Sequence, residues 1–210
     1  MAKIADIDLG DFPLLLAPME DVSDPPFRAL CKQQGCDMMY TEFISVEGLI
    51  RDATKSVQKL DIYEEERPIG VQIFGAELDS MMRAAEIVEE AKPEVLDINF
   101  GCPVKKVVCK MAGAGILQDI PRMVELTKAV VNSTNLPVTV KTRLGWDEQS
   151  KKIEEVAERN DERYKVYKRV KQVSQKESFY HTVKRCATGI KKVVMRCATN
   201  TLCFQKVTQL

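Results

Sequence analysis

Five short apolar runs recur in the first two thirds of the chain, and segments with a helical spacing of apolar residues separate them. The runs show little alternation between apolar and polar positions, which is typical of strands buried on both faces of a parallel sheet. We therefore predict strands at residues 13–17, 37–43, 68–74, 94–100 and 137–142.

The predicted helices have ordinary start and stop residues. Asp24 suits the N-cap of a helix that begins with two prolines, and Gly35 is a typical stop. Apolar residues three and four positions apart predict a further helix from Glu77 to Lys92. Two more helices are predicted, from Pro121 to about Asn132 and from Glu148 onward.

This strand–helix order repeats five times, which predicts a parallel sheet with helices outside it. A doubly wound sheet and a (β/α)8 barrel both fit the order. Barrels carry their chemistry at the carboxyl ends of the strands, and no GxGxxG follows the first strand, so we favour a barrel. The unusual residues at these ends are Pro18, Met19, Glu42, Asn99, Cys102, Lys141 and Arg143, and Gln72 lies within the third strand.

A full barrel needs eight strands and about 250 residues. The expected fold is therefore α/β, an incomplete (β/α)8 TIM barrel of about five βα units. We assign residues 1–159 to this partial barrel and residues 160–210 to a separate tail.

The tail differs sharply in charge from the rest of the chain. From Asn160 onward there are 12 Lys and Arg against 3 Asp and Glu, so the tail carries +9 and the remainder −9. We expect a basic tail, helical or disordered, with at most a loose helix around 161–177. Its charge would attract RNA phosphate, although an accidental basic sequence is favoured over specific RNA recognition.

The composition of the chain, 45% hydrophobic and 30% charged, is ordinary for a globular protein. No apolar stretch approaches the roughly 20 residues of a membrane span. The acidic N-terminus does not resemble a signal peptide. We expect a cytoplasmic chain without a membrane segment.

The chain has seven cysteines at irregular spacing and no CxxC pair, which argues against a disulfide framework or a zinc site. Most are expected to be small buried hydrophobic residues. Cys102 is the exception, because it follows a predicted strand between Gly101 and Pro103. A free thiol is mostly protonated at neutral pH, so a cysteine there can donate a proton or, as a thiolate, act as a nucleophile.

Five motifs together resemble the bacterial tRNA-dihydrouridine synthase family, and its B-type subgroup in particular. The motifs cover about residues 12–159, roughly 70% of the chain. They are LAPMEDVSDPPFR (16–28), VQIFG (71–75), DINFGCPVKK (97–106), AGAGILQD (112–119) and PVTVKTRLGW (137–146).

The resemblance implies reduction of uridine to dihydrouridine in tRNA, with FMN as cofactor and NADPH or NADH as reductant. Cys102 would then protonate carbon 5 of the base, and Asn99 would hydrogen-bond the uracil edge. Arg143 would lie near the base or its phosphate.

The resemblance also implies the residues of a flavin site. Pro18, Met19 and Glu20 would lie along the flavin through backbone groups, and Gln72 would contact the isoalloxazine ring. Lys141 would stabilise negative charge on the pyrimidine side of the flavin.

The residues themselves leave alternatives open. Lys141 on a barrel strand is also compatible with a Schiff-base lysine. Gln72 can be a satisfied interior amide, and Asn99 can cap the turn after its strand. Asp97 faces the same way as Asn99 and receives no role. The pair at 105–106 fits a solvated patch or a tRNA contact, and the AGAG segment fits phosphate binding or, more commonly, tight helix packing.

Two departures from the family are expected to matter. Glu20 and Asp21 replace the usual Ala-Gly, and two carboxylates near a flavin are unfavourable unless they point away. The family's later strand motifs and its helical tRNA-binding domain do not appear. We therefore expect this chain to bind FMN poorly and to be impaired, the alternative being an inactive barrel fragment with weak non-specific RNA binding.

Overall fold

The computed structural model describes residues 2–156 and the backbone of residues 204–207. The strands of this part are, in chain order, β1 (Lys3–Ile4), β2 (Ile7–Asp8), β3 (Leu15–Leu16), β4 (Met38–Tyr40), β5 (Ile44–Ser45), β6 (Ile69–Phe74), β7 (Val95–Phe100), β8 (Val138–Thr142) and β9 (Phe204–Val207). The helices are α1 (Pro25–Gln33), α2 (Val46–Leu49), α3 (Thr54–Gln58), α4 (Leu78–Glu90), α5 (Lys105–Val108) and α6 (Ile120–Asn132). Two 3-10 turns span Glu64–Glu66 and Gly113–Gln118.

The main sheet confirms the predicted fold class. Strands β3, β4, β6, β7 and β8 are neighbours in that order and are all parallel, with the short β5 also paired to β6. Each predicted strand is present, and the predicted strands pair in the order in which they follow one another along the chain. A parallel sheet in sequential order with intervening helices is the architecture of half a (β/α)8 barrel.

Helix ends follow the predicted signals. Asp24 Oδ1 accepts a hydrogen bond from Phe27 N at 3.1 Å and caps α1, whose first turn holds both prolines. Asp119 Oδ1 caps α6 in the same way through Arg122 N at 3.0 Å. The buried face of α4 consists of the four apolar residues at helical spacing, Met81, Ala84, Ala85 and Val88.

The largest hydrophobic core lies between the sheet and its helices. Val71 and Ile73 of β6 and Leu96 and Ile98 of β7 pack there against residues of α4 and α6. Successive side chains of a strand point to opposite faces. The alternate residues of these strands therefore point to the concave face, which would be the barrel interior.

An N-terminal hairpin closes part of the concave face at the start of the strands. β1 and β2 pair antiparallel, and Ile4 and Leu9 pack against Met38, Tyr40 and Val95. This hairpin was not predicted, because strands of two residues leave no periodic signal in the sequence.

The segment before residue 156 corrects one helix boundary. Asp147 Oδ1 accepts hydrogen bonds from the backbone N–H groups of Gln149 and Ser150 and from the Ser150 hydroxyl, which makes a turn. Helical structure therefore starts at residue 153 rather than at Glu148.

The C-terminal segment contains a strand where none was predicted. β9 pairs antiparallel with β8, with Thr142 opposite Phe204 and Thr139 opposite Val207. The predicted loose helix around 161–177 lies outside the described residues.

Candidate active site

A row of buried polar side chains crosses the concave face. Gln72 of β6 is in register with Asp97 of β7, which is in register with Thr139 of β8. Each of these three residues has 0% exposure. Polar groups this deeply buried are costly unless they are hydrogen-bonded, so their partners define what the row can do.

Asp97 is the acceptor at the centre of this row. Gln72 Nε2 donates to Asp97 Oδ2 at 2.5 Å, and Thr139 Oγ1 donates to Asp97 Oδ1 at 2.5 Å. Burial raises the pKa of Asp97 from 3.8 to about 6, while these hydrogen bonds and the charge of Lys141 act in the opposite direction.

Asn99 connects the row to the turn that follows β7. Its Nδ2 donates to Gln72 Oε1 at 2.9 Å, and its Oδ1 accepts from the backbone N–H groups of Gly101 and Cys102, both at 2.9 Å. The capping role that the sequence left open for Asn99 is therefore present. A contact of Asn99 with a base stays a prediction.

Cys102 lies in this turn at the carboxyl end of β7. It is 8% exposed and packs with Val107 and Ala112, with Phe43 and Phe74 also against this cluster. A thiol in this position is shielded from bulk solvent but lies at the end of the sheet where barrels bind substrates.

Two glycines of the AGAG segment pack closely, Gly113 against Cys102 and Gly115 against Val108. A Cβ on Gly113 would lie 2.7 Å from Cys102 O, and one on Gly115 would lie 2.7 Å from Val108 O. The N–H of Ala114 also donates to Cys102 O at 2.9 Å. The AGAG segment thus serves tight packing, the commoner of its two interpretations.

Arg143 and Lys141 reach the same region from β8 and its end. Arg143 Nε donates to Gly101 O at 2.8 Å, so its side chain braces the turn from the side opposite Asn99. Lys141 is partly buried and lies in register with Asn99. Lys105 and Lys106, just beyond Cys102, are exposed, and both interpretations of this pair remain open.

The Pro18–Glu20 segment is rigidly held. Pro18 is buried, and the Ser23 hydroxyl accepts from Met19 N at 2.9 Å and donates to Met19 O at 3.0 Å. Glu20 is turned toward Lys59, with Oε1 and Nζ 2.7 Å apart. Asp21 is exposed, and its N–H donates to Glu42 Oε1 at 2.5 Å.

A buried ion pair that was not predicted supports this segment. Arg28 and Glu66 are 2% and 1% exposed and lie 3.0 Å apart, and Arg28 Nη1 donates to Ser23 O at 2.8 Å. The two residues are 38 positions apart, so only the fold brings them together.

The described part of the chain holds four cysteines, Cys31, Cys36, Cys102 and Cys109, all as free thiols. None of the helices described is both long and apolar enough to cross a membrane.

These features define a parallel barrel-type α/β protein with a cysteine and buried amides at the carboxyl ends of its strands. The chain belongs to the dihydrouridine synthase (Dus) family, whose model matches residues 15–163.

Individual relatives agree with this assignment. The chain is 41% identical over 145 residues to a tRNA-dihydrouridine synthase B of Vibrio parahaemolyticus, and the matched region is 69% of this chain and 45% of the relative. It is 40% identical over 138 residues to a tRNA-dihydrouridine synthase B of Pseudomonas putida, with 66% of this chain and 41% of the relative matched. It is 37% identical over 152 residues to a probable tRNA-dihydrouridine synthase of Rickettsia prowazekii, with 72% of this chain and 46% of the relative matched. The chain spans about half the length of these curated relatives.

Proposed function

We propose that the protein is a cytoplasmic tRNA-dihydrouridine synthase, which reduces uridine to dihydrouridine in tRNA. One observation carries the proposal beyond family membership: Cys102 lies in a turn at the carboxyl end of β7 that is held by Asn99 on one side and Arg143 on the other. A proton donor has to be held at a defined position relative to its substrate, and this turn supplies that restraint.

The side chains around the turn fit FMN as the cofactor. Lys141 is a partly buried cation in register with Asn99, suited to the pyrimidine side of a flavin that becomes negative on reduction. Glu20 would be unfavourable there, but Lys59 holds its carboxylate. Bound FMN would supply hydride transfer to the base, with NADPH or NADH as the source of electrons.

The other flavin contacts are proposed for residues that are already held in place. The Pro18–Met19 backbone is pinned by Ser23 and would line one side of the ring. Gln72 uses one amide hydrogen for Asp97, and an amide nitrogen carries two, so the second is available for the ring.

The proposed substrate contacts follow the same reasoning. Cys102 would hold the proton that goes to carbon 5 of the base. Asn99 has a second Nδ2 hydrogen for the uracil edge, since the first is used by Gln72. Arg143 would meet the base or its phosphate through its Nη groups while its Nε remains on Gly101 O.

The decisive experiment compares Cys102→Ala with Cys109→Ala, a matched loss of a thiol from an exposed position seven residues later. Flavin content is read from the visible spectrum, and tRNA reduction is followed under NADPH. We expect Cys102→Ala to lower the rate of reduction about 10²–10⁴-fold, the usual contribution of a general acid, and Cys109→Ala to leave it unchanged.

Two results would contradict the proposal. Reduction at the full rate by Cys102→Ala would remove the proton-donor role. A protein that retains no flavin and leaves tRNA unreduced would favour the alternative of a barrel that only binds RNA weakly.

A further inference from the structure

Asp97 is a completely buried carboxylate that none of the proposed chemical steps uses. Its two oxygens accept from the neutral side chains of Gln72 and Thr139, both at 2.5 Å. Burying an ionisable group away from water is costly. A carboxylate at this position therefore calls for a reason beyond packing.

The hydrogen bonds that start at Asp97 have one direction. A carboxylate only accepts, so Gln72 must turn its Nε2 toward Asp97 and its Oε1 toward Asn99. Asn99 must then present its Nδ2 to Gln72.

The far end of the series imposes the same direction. The backbone N–H groups of Gly101 and Cys102 can only donate, and both point at Asn99 Oδ1. If the Gln72 amide were flipped, its Nε2 would face Asn99 Nδ2, and two donors would meet. Flipping Asn99 as well would remove that conflict but would place its Nδ2 opposite the N–H groups of Gly101 and Cys102, which also only donate.

We propose that Asp97 is a positioning residue that sets the orientation of the Gln72 and Asn99 amides and thereby holds the Cys102 turn. The relay is defined as Asp97, Gln72 and Asn99. The role of this relay in catalysis rests on the proposed function. The relay itself is a property of the fold and can be measured without tRNA or flavin.

The test is the alkylation rate of individual cysteines by iodoacetamide, resolved by peptide mass spectrometry. Cys102 reports the turn, and exposed Cys109 reports reagent access in the same sample. Cys36 is partly buried and reports loosening elsewhere in the sheet, because its thiol bonds Leu14 O and Met38 O and burial raises its pKa to about 11.

Asp97→Ala is expected to raise the Cys102 rate relative to Cys109 about fivefold, the factor for loss of one net hydrogen bond. Asp97→Asn should restore a rate near that of the wild type. The new amide oxygen still accepts from Gln72, and the Thr139 hydroxyl can accept from the new NH₂ group.

A double-mutant cycle separates the relay from general loosening. If Asp97 acts through Asn99, the Asp97→Ala change adds nothing in an Asn99→Ala background. The matched control is Glu66→Ala, which removes a buried carboxylate 31 positions before Asp97 that takes no part in the relay. We expect it to raise the Cys36 rate without a selective effect on Cys102.

The proposal is overturned if Asp97→Ala leaves the Cys102 to Cys109 ratio unchanged, if the cycle is additive, or if Cys36 rises in parallel. Should Asp97→Ala fail to fold, Gln72→Met interrupts the same relay with little change in volume, and an unchanged Cys102 rate there overturns it equally. If the relay is found but Cys102→Ala still reduces tRNA at full rate, only the proposed function fails.

Discussion

Substituting alanine for Gly113 should destabilise the protein strongly and disturb the Cys102 turn. Gly113 has φ +55°, a backbone conformation that costs an alanine about 1–2 kcal/mol. The added Cβ would also lie 2.7 Å from Cys102 O and 3.1 Å from Cys102 Cβ. Cys102 O must move to relieve this contact, which weakens its bond from Ala114 N, worth about 1 kcal/mol. We expect the free energy of unfolding to fall by about 3 kcal/mol in total.

The matched control is Gly10→Ala. Gly10 has φ +77°, and its Cβ would meet nothing within 4 Å, so this variant carries backbone strain without a clash. The free energy of unfolding of both variants is measured by urea denaturation. The slope of this free energy against urea concentration should equal that of the wild type if the substitutions leave the denatured state unaffected. The reasoning is refuted if Gly113→Ala costs no more than Gly10→Ala, because the contact with Cys102 would then have no energetic consequence.

Three further predictions concern charged groups. Burial raises the pKa of Asp97 from 3.8 to about 6, so the folded state holds a proton that the unfolded state has already lost between these pH values. The stability that this proton contributes is fully present below about pH 4 and is lost as the pH rises through 6. The free energy of unfolding of Asp97→Asn should therefore rise by about 2–3 kcal/mol relative to that of the wild type between pH 4 and pH 7. A constant difference between the two proteins in urea unfolding would disprove this. Glu66→Ala leaves Arg28 buried without its carboxylate partner and should lower the free energy of unfolding by about 3–5 kcal/mol. A loss below about 1 kcal/mol would mean that Arg28 finds another partner for its charge. Arg51→Ala breaks an exposed pair with Glu47 and should change the melting temperature little, since such pairs contribute less than about 1 kcal/mol.

Five of the six parallel strands could be predicted because each lies in an apolar run bounded by polar residues. The short parallel strand β5 was not predicted, because it has only two residues and one of them is a serine. The runs around Val71 and Leu96 are buried against α4 and α6, and burial on that face is what made them recognisable. The N-terminal hairpin and β9 were not predicted. Two-residue strands carry no period, and β9 lies in a segment whose basic composition suggested no strand.

The sequence singled out several residues of the candidate site but did not show how their side chains are connected. Gln72 was singled out within the third predicted strand, and Asn99 and Cys102 were singled out at the end of the fourth. The sequence could not show that Asp97 joins them, since its partners Gln72 and Thr139 lie 25 and 42 residues away. Alternation of side chains placed Asp97 on the correct face, and only the register between strands shows which groups it meets.

The antiparallel pairing of β9 with β8 has a consequence for how the sheet can grow. A strand has two edges, and β7 and β9 occupy both edges of β8. An additional parallel strand would compete with β9 for the same backbone groups of β8, and the two arrangements exclude each other. While β9 is in place, a further strand on this side must lie two strand spacings, about 10 Å, from β8, and so cannot be a direct neighbour of Lys141.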